Sequence, residues 1–85
     1  MSKIQILIAE NDEQTLKELL EMLQDIGYSN VNFFQDEDSA ANHIKRYSPT
    51  ILLLSSNLDF KAIMASFPSN YAPGLIMLMD RQQSI

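Results

Sequence analysis

Residues 4–13 of this sequence read Ile-Gln-Ile-Leu-Ile-Ala-Glu-Asn-Asp-Glu, an apolar run that ends in an acidic patch. An almost continuous run of aliphatic residues is typical of a strand that is buried on both faces, as in a parallel sheet. The acidic residues favour the start of a helix, because side-chain oxygens cap its free N–H groups and negative charge suits its positive end. We therefore expect a buried strand that leads directly into a helix.

Similar patterns continue along the rest of the chain. The expected strands occupy residues 4–9, 31–34, 50–54 and 75–79. Apolar residues at steps of three and four predict helices between them, which are expected to end near Gly27, Ser48 and Phe67. The apolar stripes of the first two helices are Leu16, Leu19, Leu20, Leu23 and Ile26, and Ala40, Ala41, Ile44 and Tyr47. The alternation of strands and helices predicts a parallel sheet with right-handed crossovers and helices on both faces.

The composition limits the range of functions. The chain has 85 residues, enough for one domain, and its net charge of -5 argues against nucleic-acid binding, which needs a basic surface. The absence of cysteine excludes disulfides, thiolate metal sites and cysteine nucleophiles. The single histidine, His43, has no second ligand of its kind, so we interpret it as part of a solvated helix face. No apolar run approaches the roughly 20 residues that a membrane helix needs, so we expect a cytoplasmic protein without membrane contact.

These segments, in this order, resemble the receiver domain of two-component response regulators, a family of bacterial signalling proteins. The resemblance rests on residues 6–13, 36–40, 49–54 and 73–78, and on the helix that ends at Gly27. It implies a flavodoxin-like, three-layer α/β fold that is truncated after strand four, with the parallel order 2-1-3-4. The first helix is then expected on one face and the other two on the opposite face. Residues 1–80 would form the receiver-like domain and residues 81–85 a C-terminal tail.

The residues at the family's reaction site depart from its pattern. By resemblance, Ser55 stands at the position of the phosphoryl-accepting aspartate, and Met79 at that of a threonine or serine. A serine hydroxyl is not ionised at neutral pH, and a thioether cannot donate a hydrogen bond to phosphate. The family's magnesium positions correspond to Glu10 and Asn11, with Asp12 beside them, and the third carboxylate is missing. The family's lysine-bearing fifth strand has no counterpart, so we expect no catalytic residue, no cofactor and no metal.

The fourth strand is the candidate interface, and its residues are Leu75, Ile76, Met77, Leu78 and Met79. An edge strand with five consecutive apolar residues aggregates unless something pairs with it or covers it. One interpretation is that Phe60, Phe67, Tyr71 or the tail covers it within the monomer. The interpretation that we favour is an interface with a second copy or with another protein.

Together these observations predict a phosphorylation-independent pseudo-receiver that acts as a non-enzymatic protein-interaction module in signalling or regulation. We expect a homodimer through the fourth-strand region, and by resemblance a histidine kinase, a phosphotransfer protein or another signalling protein as a possible partner. Two alternatives stay open. One is a small magnesium-dependent phosphotransfer or phosphatase-like enzyme that uses Glu10, Asp12 and Asp80. The other is a fragment of a longer response regulator.

Overall fold

The computed structural model describes residues 4–79, which form four strands and three helices. The strands are β1 (Ile6–Ala9), β2 (Val31–Phe34), β3 (Ile51–Ser55) and β4 (Leu75–Met79). The helices are α1 (Glu13–Ile26), α2 (Glu37–Tyr47) and α3 (Phe60–Ala65). None of these helices is long and apolar enough to cross a bilayer.

The four strands pair in parallel in the order β2-β1-β3-β4. Ile6 lies opposite Val31 on one side and opposite Ile51 on the other, and Ile51 in turn lies opposite Leu75. This arrangement confirms the predicted α/β fold, a four-stranded flavodoxin-like sheet in the order 2-1-3-4. Because every strand runs in the same direction, their carboxyl ends lie along one edge of the sheet, which we call the carboxyl edge.

Each face of the sheet carries its own cluster of buried side chains. On the α1 face the buried members are Ile6, Ile8, Leu16 and Leu53. On the α2/α3 face they are Leu7, Ala9, Ala40, Ile44, Leu52, Leu54, Leu58 and Ile63. Neighbouring strand residues alternate between the two clusters because successive side chains of a strand point to opposite faces. The expected placement of the helices, one against two, is therefore confirmed.

The sequence signals for helix ends are used as expected. Each helix begins after an aspartate whose carboxylate accepts a hydrogen bond from the backbone N–H three residues later, and these caps are Asp12, Asp36 and Asp59. Helix α1 ends at Gly27, whose φ of 116° lies in the left-handed region that glycine adopts without steric cost. Short-range chemistry therefore sets both ends of the helix that covers the α1 face.

Three expectations about the helices are wrong. Ile26 does not extend the buried stripe of α1, since 64% of it is exposed. Helix α3 ends at Ala65 and not at Phe67, because the chain tightens into a three-residue turn in which the N–H of Phe67 donates to the carbonyl of Met64 at 3.2 Å. Tyr47 does not extend the buried stripe of α2, since 54% of it is exposed. Its ring packs against the ring of His43, with centroids 4.6 Å apart.

Candidate functional site at the carboxyl edge

The carboxyl edge brings together three residues that the sequence identifies as site positions. Glu10 follows β1 directly, while Ser55 and Met79 end β3 and β4 and lie opposite each other. The N–H of Glu10 donates to the carbonyl of Phe34 at 3.0 Å, and the N–H of Ser56 donates to the carbonyl of Met79 at 2.8 Å. These backbone bonds continue the sheet into the loops, so they fix the points from which the side chains of the site start.

Glu10 is a fully buried carboxylate. Its Oε2 accepts hydrogen bonds from the N–H of Asp12 at 3.0 Å and from the side-chain Nδ2 of Asn57 at 3.2 Å. Its Oε1 is also buried and has no hydrogen-bond partner among residues 4–79. A buried oxygen without a partner costs about 1–3 kcal/mol. Glu10 therefore joins the loops after β1 and β3, but it does so with one oxygen unsatisfied.

The other polar residues after β1 have structural roles. Asp12 is the N-cap of α1, and its Oδ2 accepts from the N–H of Thr15 at 2.9 Å and from the hydroxyl of Thr15 at 2.7 Å. Asn11 is exposed between the two acids. The interpretation of this patch as the start of a helix fits these contacts, because the Asp12 carboxylate is held against the backbone of α1.

Ser55 is fully buried at the end of β3. Its Oγ accepts a hydrogen bond from the N–H of Asn57 at 3.0 Å, so it closes the turn that leaves the strand. Hydroxyls at strand ends often bond nearby backbone groups in this way. Met79, on the neighbouring strand, is half-buried and packs against the α1-face cluster. Position 55 therefore offers a hydroxyl that is already engaged, and position 79 offers an apolar side chain.

The described residues at the carboxyl edge, which do not include Asp80, do not fit a magnesium site. Mg²⁺ requires nearly octahedral coordination by hard oxygens, usually from carboxylates together with phosphate or water. Glu10 offers only its enclosed Oε1, the Oδ2 of Asp12 is engaged by Thr15, and Ser55 supplies no carboxylate. Within residues 4–79 there is no group of three or more His, Cys, Asp or Glu residues that could hold a metal ion.

Asn57 is a residue of the site that no sequence motif identifies. Asn57 bridges the two loops, because its side chain donates to Glu10 and its backbone N–H donates to Ser55. Glu10 and Asn57 are 47 residues apart, so no local pattern reveals the pair. The signal that was available is topological, since residues that follow adjacent parallel strands must meet at the same edge.

His43 differs from its expected position on a solvated helix face. It is half-buried, and its ring lies between those of Phe34 and Tyr47, with centroid distances of 5.1 Å and 4.6 Å. Loss of hydration on burial lowers the pKa of His43 below its ordinary value. The histidine therefore serves as an aromatic packing residue next to the β2 side of the sheet.

Strand β4 is the second candidate site. Ile76 packs against the α2/α3-face cluster, and Met79 packs against the α1-face cluster. Leu75, Met77 and Leu78 are 48%, 50% and 51% exposed. Phe60, Phe67 and Tyr71 pack against the α2/α3-face cluster. Within the described residues these aromatic side chains leave about half of three large apolar side chains uncovered.

Asp80, which the enzymatic alternative needs, lies outside the described residues, as does the tail at 81–85.

Comparison of the chain with models of protein families, with curated proteins and with solved structures found no match. The assignment of function therefore depends on the geometry of the carboxyl edge and of β4.

Proposed function

We propose that this chain is a phosphorylation-independent pseudo-receiver, a non-enzymatic protein-interaction module in signalling or regulation that acts in the cytoplasm. One observation carries the proposal: the position that resembles the phosphoryl acceptor holds Ser55, whose buried hydroxyl is engaged by the N–H of Asn57. A nucleophilic hydroxyl needs an adjacent general base to remove its proton. Ser55 makes its side-chain hydrogen bond with a backbone N–H, which is a donor and not a base.

The neighbouring residues support the same proposal. Phosphoryl transfer depends on positioned cations and hydrogen-bond donors around the transferred group. The side chain of Met79 supplies no hydrogen-bond donor for a phosphoryl group. The described oxygen ligands around Glu10 do not fit magnesium. A family-like reaction would need changes at several of these positions at once. Without that chemistry, a domain of this fold is left with its surfaces as the means of acting on other proteins.

The proposal is tested by incubating the purified chain with acetyl phosphate and Mg²⁺ and measuring its intact mass. We expect no added phosphoryl group under conditions that fully modify a phosphorylatable receiver domain in the same tube. A phosphorylated species would contradict the proposal, and hydroxylamine would then distinguish a labile acyl phosphate on an acid from a stable phosphoserine at Ser55.

The proposed module is a homodimer that uses the outer edge of β4. In the described part of the chain β4 pairs only with β3. The N–H of Leu75 donates to Thr50 and the carbonyl of Met79 accepts from Ser56, the two residues that flank β3. Because alternate residues of a strand turn their backbone groups to opposite sides, those of Ile76 and Leu78 point away from β3. The strand carries no charge or proline that would discourage pairing. Antiparallel pairing of two β4 strands would satisfy these groups and join two sheets into one.

A further inference from the structure

A second apolar surface lies beside β4, on the α1 face of the sheet. Leu75 and Met77 are the register partners of Ile51 and Leu53, which pack against α1. Leu75 and Met77 therefore face the same side of the sheet as α1, yet they remain 48% and 50% exposed. They form the floor of what we call the α1–β4 groove.

The wall of the groove is one flank of α1. The opposite flank, with Leu20 and Gln24, lines a cleft with Val31 on the β2 side of the sheet. The helical repeat then places Met22 and Ile26 on the flank that faces β3 and β4. These two side chains are 52% and 64% exposed. Floor and wall together present four large apolar side chains that are about half uncovered or more.

The rim of the groove is acidic. Glu18 lies four residues before Met22 and Asp25 three residues after it, so both carboxylates lie next to the apolar wall. Both are exposed, and Glu18 accepts a hydrogen bond from the neutral side chain of Gln14 at 3.1 Å. Helix α1 has no basic residue in its last turn. The charge along the wall is therefore negative, in a chain whose net charge is -5.

We propose that the α1–β4 groove binds an amphipathic helix of another protein that carries lysine or arginine along one side of its apolar stripe. A helix beside α1 would pack on the sheet as α1 does, with apolar residues at i, i+3 or i+4 and i+7 facing Leu75, Met77, Met22 and Ile26. Its basic flank would meet Glu18 and Asp25. This inference rests on the proposed function, because it names the kind of partner that the interaction module takes.

Charge decides between this partner and a second copy of the chain. In a face-to-face dimer, the acidic rim of one copy would approach the acidic rim of the other, and like charges at an interface are unfavourable. The outer edge of β4 carries no charged side chain and does not have this conflict. The two surfaces of β4 can therefore be occupied at the same time, the edge by a second copy and the groove by a basic helix.

The test uses a synthetic amphipathic peptide of about 20 residues, a length at which isolated helices can form. The probe has a leucine stripe flanked by lysines, and the matched control peptide has glutamates in place of the lysines. We expect the lysine peptide to bind the full chain, measured by calorimetry, at least tenfold more tightly than the glutamate peptide. We also expect its binding to weaken as ionic strength rises. Equal binding of both peptides, or no binding of either, would overturn the proposal.

Substitutions locate the binding site. Met77→Gln and Ile26→Gln are each expected to weaken binding at least tenfold, whereas Leu78→Gln, on the other face of the same strand and equally exposed, is expected to leave it unchanged. All three positions are exposed, so these variants should keep the wild-type circular dichroism spectrum. Equal effects of Met77→Gln and Leu78→Gln would overturn the proposed location.

The charge of the rim has its own control. A double variant with Glu18→Gln and Asp25→Asn should reduce the preference for the lysine peptide, while Asp38→Asn, which neutralises an exposed acid of α2, should not.

Self-association tests the alternative occupant of the groove. Loss of self-association in Met77→Gln, without loss of it in Leu78→Gln, would show that a second copy binds in the groove and would overturn the inference. The acetyl phosphate experiment is independent of these results. Failure of peptide binding without phosphorylation removes only the groove, whereas phosphorylation removes the pseudo-receiver itself.

Discussion

Strands β3 and β4 have similar sequences and very different environments. Both have five residues, Ile-Leu-Leu-Leu-Ser in β3 and Leu-Ile-Met-Leu-Met in β4, and they pair residue for residue. Four of the five residues of β3 are buried, and none of β4 is. Position in the sheet and not hydrophobicity makes the difference, since β3 has a strand on each side and a layer of helix on each face. An apolar strand without that cover is a candidate surface for another molecule.

The buried side chains of β3 and the exposed side chains of β4 contribute unequally to folding. Burying apolar surface stabilises a protein by about 25 cal/mol per Å². The side chains of β3 are buried in the monomer and stabilise its fold in this way. Those of β4 are exposed in the monomer, so they can bury apolar surface only when another molecule binds. The first test therefore compares register partners on the two strands.

The largest expected effect is the difference in stability between alanine variants of Leu53 and of its register partner Met77. Leu53→Ala should lower the free energy of unfolding by about 2–5 kcal/mol, because it removes buried methyl groups and leaves a cavity. Met77→Ala should lower it by less than about 1 kcal/mol, since surface substitutions usually have small effects. Urea unfolding followed by circular dichroism measures both, at the same chain concentration for the two variants and the wild type. Equal losses would mean that β4 is as well covered as β3.

The next largest effect concerns the end of β3, where a charge would be introduced into a buried position. Ser55→Asp should lower the free energy of unfolding at pH 7 by about 1–3 kcal/mol, because it places a carboxylate at a fully buried position whose hydroxyl bonds Asn57, the same residue that donates to the buried carboxyl group of Glu10. The loss should shrink at acidic pH, as the new carboxyl group takes up a proton.

The matched control is Ser55→Asn, whose side chain is about the size of aspartate but carries no charge. At pH 7 it should lower the free energy of unfolding by less than Ser55→Asp does. Added Mg²⁺ should restore stability to Ser55→Asp and should not stabilise the wild type. Stabilisation of the wild type by millimolar Mg²⁺ in a thermal melt would show that the carboxyl edge binds the ion and would contradict the proposed absence of a magnesium site.

A smaller effect is expected at the cap of α1, the helix that covers the α1 face of β3. Asp12→Ala removes the acceptor of two hydrogen bonds from Thr15 and should cost about 0.5–2 kcal/mol. Amide hydrogen exchange should accelerate in the first turns of α1 and at Leu53 beneath it. Asp36→Ala, at the equivalent cap of α2, should leave hydrogen exchange in α1 unchanged. Faster exchange in α1 of that control would mean that the two faces of the sheet do not unfold independently.

The smallest effect is a pH dependence on the α2 side of the sheet. Burial lowers the pKa of His43 in the folded chain, whereas in the unfolded chain the pKa lies near its ordinary value of about 6.5. The unfolded state therefore binds the proton more readily, so the stability from this group is present above pH 6.5 and is lost as pH falls below it. Thermal melts between pH 5 and 8 should show this slope, and His43→Gln should reduce it. An unchanged slope in His43→Gln would assign the effect to other groups.

The fold was predictable from the sequence because its signals are local or topological. The apolar runs, the aspartate caps and Gly27 mark strands and helix ends, and the alternation of elements leads to a parallel sheet. Errors arose where tertiary packing overrides a periodic pattern. Tyr47 fits the stripe of α2, yet it packs on His43 at the last turn of the helix and stays 54% exposed.

The candidate site was only partly predictable. Glu10, Ser55 and Met79 were placed correctly, because the carboxyl ends of parallel strands share an edge. The bond between Glu10 and Asn57, and the unsatisfied Oε1, depend on side-chain orientations that no spacing rule specifies. The exposure of β4 was expected from its place at the edge of the sheet, but the sequence did not specify that Ile76 and Met79 would be more buried than their neighbours.

The proposed assembly through β4 is tested most directly by the mass of the chain in solution, measured by light scattering across a dilution series from high to low micromolar. We predict a dimer that persists on dilution. Leu78→Pro, which removes an outward-pointing N–H, should be monomeric, while Leu78→Ala, which keeps that N–H, should remain dimeric. A wild-type chain that is a stable monomer at every concentration would contradict the assignment of β4 as a subunit interface.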